Sequence, residues 1–257
     1  MQKIIVLNPK GGSGKTTVAT NLAACYAAHG ERTALIDLDP QGSSARWLRK
    51  RPQDAPPIHG IAGFERSTAV TRSWQMRVPG ECRFVISDTP AAIDVHELSD
   101  FTRGADLILI PVMPSEIDIH ATARCIADLL LVAKIRRSEN RIGIVANRVR
   151  NNTRVSQSLT RFLASLDIPL IATLRDTQSY VRSAETGLGV CEMPTWQVQQ
   201  DLSHWRQVLN WLAEKRRHRA ERGAVPSNLV SIERANAELE RSVIPTRGGH
   251  ASAVGHD

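Results

Sequence analysis

The sequence predicts an α/β fold in which helices flank a doubly wound, mostly parallel β-sheet, with a flexible C-terminal tail. Six continuous apolar runs have the composition of strands buried on both faces, which is typical of parallel sheets. Helical periodicity lies between several of these runs and predicts right-handed crossover connections. The predicted strands cover residues 3–8, 33–38, 83–88, 106–111, 141–147 and 169–174.

The first predicted strand runs into a glycine-rich turn and then into a helix from Thr16 to Ala28, which Gly30 closes. The region 50–80 is less regular because Pro52, Pro56 and Pro57 break helices. We expect a loop there, a short edge strand near 58–63 and a helix near 67–75.

Three helices are predicted in the second half of the chain. One begins after Ser115, an N-cap residue, and runs to about Ile135; another spans roughly 153–166. The last runs from about Trp196 to Arg219, and Trp196 and Trp211 are expected to cover the core. Its apolar stripe consists of Val198, Leu202, Trp205, Leu209 and Leu212.

The composition changes after Arg222, where glycines and prolines punctuate a polar segment. We therefore predict one domain of residues 1–222 and a flexible tail of residues 223–257. The tail contains one amphipathic candidate helix, 228–243.

Length and composition agree with a single sizeable α/β core, because 42% of the 257 residues are hydrophobic. No apolar run approaches the roughly 18 residues of a membrane-spanning helix. The N-terminus enters a strand directly, so no signal peptide is expected. The four cysteines lie far apart without a CxxC motif, and we expect reduced thiols in a cytoplasmic protein.

The net charge of +7 comes mainly from arginine, which outnumbers lysine 27 to 6. Arginine binds phosphate groups bidentately, so this bias favours a polyanionic partner. A genome with GC-rich codons explains the same bias equally well.

The residues Lys10 to Thr17 read KGGSGKTT and form a phosphate-binding loop between a strand and a helix. Gly11, Gly12, Ser13 and Gly14 let backbone N–H groups approach phosphates. Lys15 is placed for the β- and γ-phosphates, Thr16 for Mg²⁺ and Thr17 for the α-phosphate of a bound ATP.

This loop departs from the usual GxxxxGK[ST] pattern, because Pro9 occupies the first glycine position. The form KGGxGKT[TS] resembles the deviant loop of the ParA/MinD superfamily of P-loop ATPases. Residues 35–42 resemble its switch I, residues 84–90 its Walker B strand and switch II, and Asn147-Arg148 its adenine-contacting motif. The resemblance runs from residue 1 to about 213.

The resemblance implies roles for further residues. Asp88 would hold Mg²⁺ through water, and Asp39 would orient the attacking water. Asp37 would order the Mg²⁺ shell, although both Asp37 and Asp39 are also explained as ordinary strand-end carboxylates. Lys10 would cross a face-to-face dimer to the partner's nucleotide. Asn147 and Arg148 would contact adenine, or Asn147 would simply end a strand in a turn.

The family implies an ATP-dependent homodimer that binds DNA non-specifically on the nucleoid and releases it after hydrolysis. A ParB-like protein or cargo adaptor would stimulate hydrolysis. Cargo in this family is a plasmid, a chromosome or a carboxysome-like assembly, and the small size also suits the carboxysome-distribution type. Because residue 1 already opens the P-loop strand, we expect no helix-turn-helix domain. The candidate DNA-binding residues are Arg150, Arg154, Arg175, Arg182, Arg206, Lys215, Arg216 and Arg217.

The alternative is a MinD-like ATPase associated with a membrane. Such a protein would need a basic amphipathic helix, whereas segment 228–243 is charge-balanced and has no aromatic anchor. A reductase resembling the nitrogenase iron protein would need cluster cysteines near switch II, and the residues that follow Asp88 contain none.

Overall fold

A computed structural model describes residues 1–65, 76–150, 162 and 168–223. Its centre is a seven-stranded sheet in the order β3-β2-β4-β1-β5-β6-β7, and every neighbouring pair is parallel. The strands are β1 (Gln2–Val6), β2 (Thr33–Asp37), β3 (Ile58–Ala62), β4 (Phe84–Asp88), β5 (Leu107–Val112), β6 (Ile142–Val149) and β7 (Leu170–Arg175). The predicted fold class is confirmed.

Six α-helices belong to the described residues. They are α1 (Lys15–Ala28), α2 (Ser43–Arg49), α3 (Leu98–Thr102), α4 (Glu116–Leu131), α5 (Gln178–Thr186) and α6 (Thr195–Gly223). Ser115 caps α4 as predicted, since its hydroxyl accepts from the Asp118 N–H at 3.1 Å. That helix ends at Leu131 rather than near Ile135. The predicted helices near 67–75 and 153–166 and the predicted tail lie outside the described residues.

The core has two main layers because successive side chains of a strand point to opposite faces. Ile4 and Val6 of β1 pack on one face, whereas Ile5 lies on the other. The first face is covered by α1, α2 and α6, and the second by α3 and α4. This alternation of two buried faces explains why each central strand is apolar at almost every position.

Helix α6 carries the predicted apolar stripe, with Val198, Trp205 and Leu212 fully buried. Trp211 packs against the core from a partly buried position. The prediction for Trp196 is wrong, because this side chain is 81% exposed. Val198 has the non-helical dihedrals φ −126° and ψ 15°, so Trp196 precedes a kink and does not continue the stripe.

The prediction of four reduced thiols is wrong for one pair, because Cys25 and Cys191 form a disulfide with Cα atoms 5.1 Å apart. Cys25 lies in α1 and Cys191 in a 3₁₀ turn that packs on it, 166 residues away in sequence. Gly189 permits this approach, since a Cβ there would lie 2.2 Å from the Cβ of Ala24. Cys82 and Cys125 are buried free thiols, as expected.

The chain divides into two compact units, residues 1–215 and residues 216–257. Of the second unit, only the helical residues 216–223 are described. The predicted domain limit after residue 222 stays a prediction. Within the described part of the chain, no helix combines the length and the apolarity that crossing a membrane requires.

Candidate nucleotide-phosphate site

The sheet order brings three of the predicted motifs together at the edge formed by the carboxyl ends of the strands. Strand β4 lies between β1 and β2, so that Asp88 is in register with Val6 on one side and with Asp37 on the other. The glycine-rich loop leaves the carboxyl end of β1 at the same edge. Ligands of open parallel sheets bind at such carboxyl ends, next to the strand where the chain reverses its winding.

The loop ends at Gly14, which is the N-cap of α1 and has a left-handed φ of +97°. A Cβ at Gly14 would lie 1.9 Å from the side-chain nitrogen of Asn147, so the position requires glycine. Asn147 itself is buried and donates its amide to the Ser13 carbonyl at 3.0 Å. The end of β6 therefore supports the loop directly, and the first free N–H groups of α1 face the edge of the sheet.

Lys15 is 7% exposed, and its ammonium group donates to the Lys10 carbonyl at 3.2 Å across the loop. Burial lowers the pKa of this ammonium, while the charges of Asp88 and Asp39 oppose that shift. A buried cation with one carbonyl partner has unused donors. Phosphate oxygens are anionic acceptors and would fit these unused N–H donors.

Asp88 is fully buried and is the centre of a hydrogen-bond cluster. Its Oδ2 accepts from the hydroxyls of Thr16 at 2.8 Å and Ser44 at 2.7 Å, whereas Oδ1 has no hydrogen-bond partner among the described residues. Burial raises the pKa of this carboxyl from 3.8 to about 6, against the two hydroxyl donors. A hydroxyl beside a buried, incompletely satisfied carboxylate is a donor set that fits hydrated Mg²⁺.

Both carboxylates of the predicted switch I segment have identified contacts. Asp37 is buried and accepts from the backbone N–H groups of Asp39 at 3.1 Å and Ala45 at 2.8 Å. Burial raises the pKa of Asp37 despite these donors. Asp39 is partly buried, and among the described residues its carboxylate accepts from the N–H of Gln41 at 2.9 Å through Oδ1. Asp37 therefore uses both carboxylate oxygens to hold the loop, whereas Oδ2 of Asp39 has no hydrogen bond to the described residues.

Lys10 contacts its own chain in this structure. Its ammonium pairs with Asp118 Oδ2 of α4 at 2.8 Å, and the side chains are 33% and 3% exposed, respectively. The Ser115 hydroxyl also binds Asp118, whose Oδ1 is buried without a partner among the described residues. The lysine that the resemblance assigns to a partner's nucleotide is thus held by an intrachain carboxylate.

The remaining predicted ligands of the nucleotide surround the same edge. Thr17 lies one residue beyond Thr16 on α1 and is partly buried, and Ser13 is buried. Gly11 and Gly12 are exposed, and Gly12 has a φ of +78°. Arg148 is exposed with a left-handed φ of +52°, next to buried Asn147.

The predicted DNA-binding residues are scattered, and several have partners. Arg150 pairs with Asp176 at 2.9 Å, and Arg182 donates to Gln197. Arg175 forms two bonds to buried Asp201, which makes it a poor candidate for DNA. Lys215 lies 5.5 Å from the ring centroid of Trp211. Arg206, Arg216 and Arg217 are exposed on α6, and Arg154 lies outside the described residues.

Sequence reasoning missed Ser44 and Asp118. Ser44 follows the switch I stretch, but a serine after a turn is an ordinary helix-start residue. Asp118 lies in the first turn of α4, where acids are common because they favour the helix dipole. The signal available for Asp118 was its position four residues before Thr122 and seven before Cys125, on the buried face of α4.

A family comparison identifies the protein class. The model of the CobQ/CobB/MinD/ParA nucleotide binding domain matches residues 4–190, which include the loop, both switch segments and the Asn147 strand. The chain belongs to this family. The resemblance to ParA and MinD proteins is therefore confirmed.

Relatives within the CobQ/CobB/MinD/ParA family include proteins named for positioning and partition. Maintenance of carboxysome distribution protein A from Halothiobacillus neapolitanus is 26% identical over 191 residues, covering 74% of this chain and 87% of that protein. The chromosome-partitioning ATPase Soj from Thermus thermophilus is 49% identical over 143 residues, covering 51% of this chain and 54% of that one. The chain thus aligns with only about half of Soj.

Solved structures share the fold. Apo McdA from Cyanothece superposes with a TM-score of 0.60 at 14% identity, covering 81% of this chain and 99% of that one. The MinD cell division protein from Aquifex aeolicus gives 0.57 at 18% identity, covering 74% and 88%. At such identities the likeness establishes the fold alone.

Proposed function

We propose that this chain is a ParA-like positioning ATPase that hydrolyses ATP to ADP and phosphate with Mg²⁺. The observation that carries the proposal is the arrangement around Asp88. Strand β4 places this carboxylate beside the Thr16 hydroxyl, and its charge opposes the lowering of the pKa of buried Lys15. A cation suited to phosphate and a carboxylate suited to a metal ion therefore lie at the same end of the sheet, which supports the proposal.

The residues divide the chemistry among them. Gly11, Gly12 and Gly14 present backbone N–H groups, Lys15 neutralises the β- and γ-phosphates, and Thr17 holds the α-phosphate. Thr16 and Asp88 would hold Mg²⁺, which when bound supplies charge neutralisation between the phosphates. Asp39 has a carboxylate oxygen available to orient the attacking water. Asn147 and Arg148 would face the adenine.

We further propose that ATP drives dimerisation through Lys10. In that step the ammonium leaves Asp118 and reaches the nucleotide of a second copy, where it adds positive charge to the γ-phosphate. The ATP dimer would then bind nucleoid DNA in the cytoplasm through phosphate contacts. The described candidates are Arg150, Arg182, Arg206 and Lys215 in residues 1–215, and Arg216 and Arg217 in residues 216–257.

The proposed cycle ends when a partner, a ParB-like protein or a cargo adaptor, stimulates hydrolysis and releases the DNA. The names of the relatives support a chromosome or a carboxysome-like assembly as cargo, and a plasmid stays an alternative. Residues 1–222 would form the ATPase domain and residues 223–257 a flexible tail.

The test compares three proteins in ATP binding, single-turnover hydrolysis and retention on random-sequence duplex DNA. Lys15→Ala should lose ATP binding, because the phosphates would face a loop without its cation. Asp39→Ala should bind ATP almost normally but hydrolyse it at least tenfold more slowly. Unchanged ATP affinity in Lys15→Ala would contradict the proposal, and equal turnover in Asp39→Ala would remove Asp39 from it.

Salt dependence provides the DNA arm of the test. Retention of the wild-type protein should require ATP and should fall steeply with salt, by roughly 0.9 in log K per phosphate contact for each tenfold rise in salt concentration. Arg206→Glu should lower retention, whereas ATP binding should be unaffected. DNA retention that ignores ATP and salt would show that the DNA part of the cycle is wrong.

A further inference from the structure

A crevice of about 200 Å³ lies between α1, α2 and α5, beside the first turns of the P-loop helix. Helix α2 contributes Ser43, Arg46 and Trp47 along one wall, and Lys50, the C-cap of that helix, continues it. Thr16 and Thr17 form its upper end, which is the end nearest the glycine-rich loop, and Ser183 of α5 lies on the wall opposite α2. The crevice has the size of a site for a small ligand group and is lined by hydroxyls and two cations.

The charge of this crevice is unbalanced. Arg46 and Lys50 line it, and no carboxylate is among its lining residues. Within the described chain both cations bind only neutral acceptors. Arg46 donates to the Gln41 carbonyl and to the Ser43 hydroxyl, and Lys50 donates to the Ala184 carbonyl at 2.9 Å. Two uncompensated cations in a concave surface concentrate positive potential, which attracts an anion.

The walls are preformed. Buried Trp47 donates its indole N–H to the Ser183 carbonyl at 2.9 Å, which ties α2 to α5. Asn21 of α1 donates to the Ser183 hydroxyl at 3.2 Å, which ties α5 to the P-loop helix. A ligand would therefore enter a site whose three helices are already fixed to one another, at low cost in ordering.

The crevice extends beyond the nucleotide cradle, which is the predicted phosphate-binding loop of residues 10–17. The cradle lies at the N-terminus of α1, whereas the crevice descends along the side of that helix. Arg46 of α2 and Lys50 at its C-cap follow Ser43 by three and seven residues, which corresponds to about 4.5 and 10.5 Å along a helix. Only Thr16 and Thr17 are shared with the predicted phosphate ligands. The two cations therefore belong to a separate part of the surface.

We propose that this crevice binds a phosphate-type anion, held by Arg46 and Lys50 below the nucleotide site. The guanidinium has unused N–H donors in a planar fork that suits a phosphoryl group, and Lys50 adds a second charge one helical turn away. Resting on the proposed ATPase function, we identify the ligand as orthophosphate, the product released at the upper end of the crevice.

This position gives the anion a way to act on the nucleotide site. Helix α2 follows the Asp37–Asp39 loop, and its Ser44 donates to Asp88 at 2.7 Å. Phosphate bound between α2 and α5 would hold α2, and with it Ser44, in the arrangement described. Phosphate retained in the crevice would thus slow the rearrangement of switch I after hydrolysis.

The experiment is a calorimetric titration of inorganic phosphate at constant ionic strength into the full chain saturated with Mg²⁺ and AMPPNP. The analogue fills the cradle, so that the crevice is the site that remains. Wild type should show one saturable site, and Arg46→Gln and Lys50→Gln should each weaken it about tenfold or more. Arg49→Gln is the matched control, because Arg49 is exposed on the same helix and does not line the crevice.

The same titration of Lys15→Ala separates this proposal from the proposed function. If the proposed ATPase function is wrong, the wild type should not bind AMPPNP. Phosphate should nevertheless bind to the crevice of Lys15→Ala, because Lys15 does not line it. If a second equivalent of ADP displaces phosphate from the crevice, the crevice also recognises a phosphate group that is part of a nucleotide, which would support the proposal.

Three outcomes overturn the proposal. One is the absence of a saturable phosphate site in the wild type. A second is equal weakening by Arg49→Gln, which would indicate a general surface charge. The third is a dependence of duplex DNA binding on Arg46 and Lys50 without phosphate saturation, which would assign these cations to the DNA surface.

Discussion

Asp88 should make the magnesium dependence of nucleotide binding sensitive to pH. Burial raises its pKa from 3.8 to about 6, so the carboxyl becomes protonated as the pH falls through 6. Since a proton and Mg²⁺ compete for this group, the gain in ATP affinity that Mg²⁺ produces should fall up to tenfold per pH unit below about 6. Calorimetric ATP titrations with and without Mg²⁺ between pH 5 and 8 measure this gain.

The stability of the nucleotide-free protein should change with the opposite sign. A carboxyl whose pKa is raised on folding binds more protons in the folded state between pH 3.8 and about 6. Its contribution to the free energy of unfolding therefore falls as the pH rises through that window. Asp88→Asn should remove the contribution of this carboxyl from both pH profiles. A magnesium effect in Asp88→Asn that keeps the wild-type pH profile would contradict the role of Asp88.

At the scale of single residues, candidate residues could be predicted where the sequence pattern is local, and their roles stay predictions. Lys15 and Thr16 follow from a contiguous motif, and Asp88 from its place at the end of a buried strand. Asp118 and Ser44 were missed because their partners, Lys10 and Asp88, lie 108 and 44 residues away. The Asp37 carboxylate was given a possible metal role, but its contacts to backbone N–H groups depend on how the loop turns.

At the scale of elements, the disulfide between α1 and the turn after α5 should be a major contributor to stability. It closes a loop between residues 166 positions apart, for which chain entropy predicts up to about 5 kcal/mol in the free energy of unfolding. Reductant should therefore lower the guanidinium midpoint of the wild-type protein. The double variant Cys25→Ala/Cys191→Ala should unfold at this lower midpoint whether or not reductant is present.

Thiol counting provides the control for this prediction. The denatured, unreduced protein should expose two reactive thiols, Cys82 and Cys125, and the reduced protein four. Four thiols without reductant, together with an unchanged midpoint, would show that Cys25 and Cys191 are not linked in solution.

Strands were the easiest elements to predict, because a strand of the central sheet is apolar on both faces and differs sharply from its surroundings. Even the edge strand β3 was predicted, directly after Pro56 and Pro57. Helix ends were harder, since α4 ends four residues before the predicted end at Ile135. Trp196 shows the limit of periodicity, because a single non-helical residue, Val198, separates it from the stripe that it would continue.

At the scale of the whole molecule, Gly11 offers a direct test of the proposed dimer. Its φ is not left-handed, and an added Cβ would have the Ala91 Cβ at 3.9 Å as its nearest neighbour. Gly11→Val should therefore fold and bind ATP as a monomer, yet block a second copy from approaching the loop. Light scattering with ATP should report a dimer for wild type and a monomer for this variant.

Gly12→Val serves as a comparison in which backbone strain is added to the steric block. Its φ of +78° disfavours a β-branched residue, so a loss of stability is expected in addition to the loss of dimerisation. Lys10→Ala should weaken ATP-dependent association without either steric effect. A wild-type mass that does not respond to ATP, or that both valine variants retain, would remove the dimer from the proposed cycle.

The Lys10–Asp118 ion pair has a consequence for how such a dimer would be timed. One ammonium group cannot neutralise two anions at once, so intramolecular pairing and pairing across subunits are mutually exclusive. Moving Lys10 would leave the buried Asp118 carboxylate with Ser115 as its one side-chain donor among the described residues, which is costly. In the proposed dimer this cost would act as a threshold, which a ligand carrying the negative charge of a γ-phosphate would overcome more readily than one without it. The monomer would thereby be protected from pairing on ADP, and a side chain on α4 would set the selectivity of an interface that it need not touch.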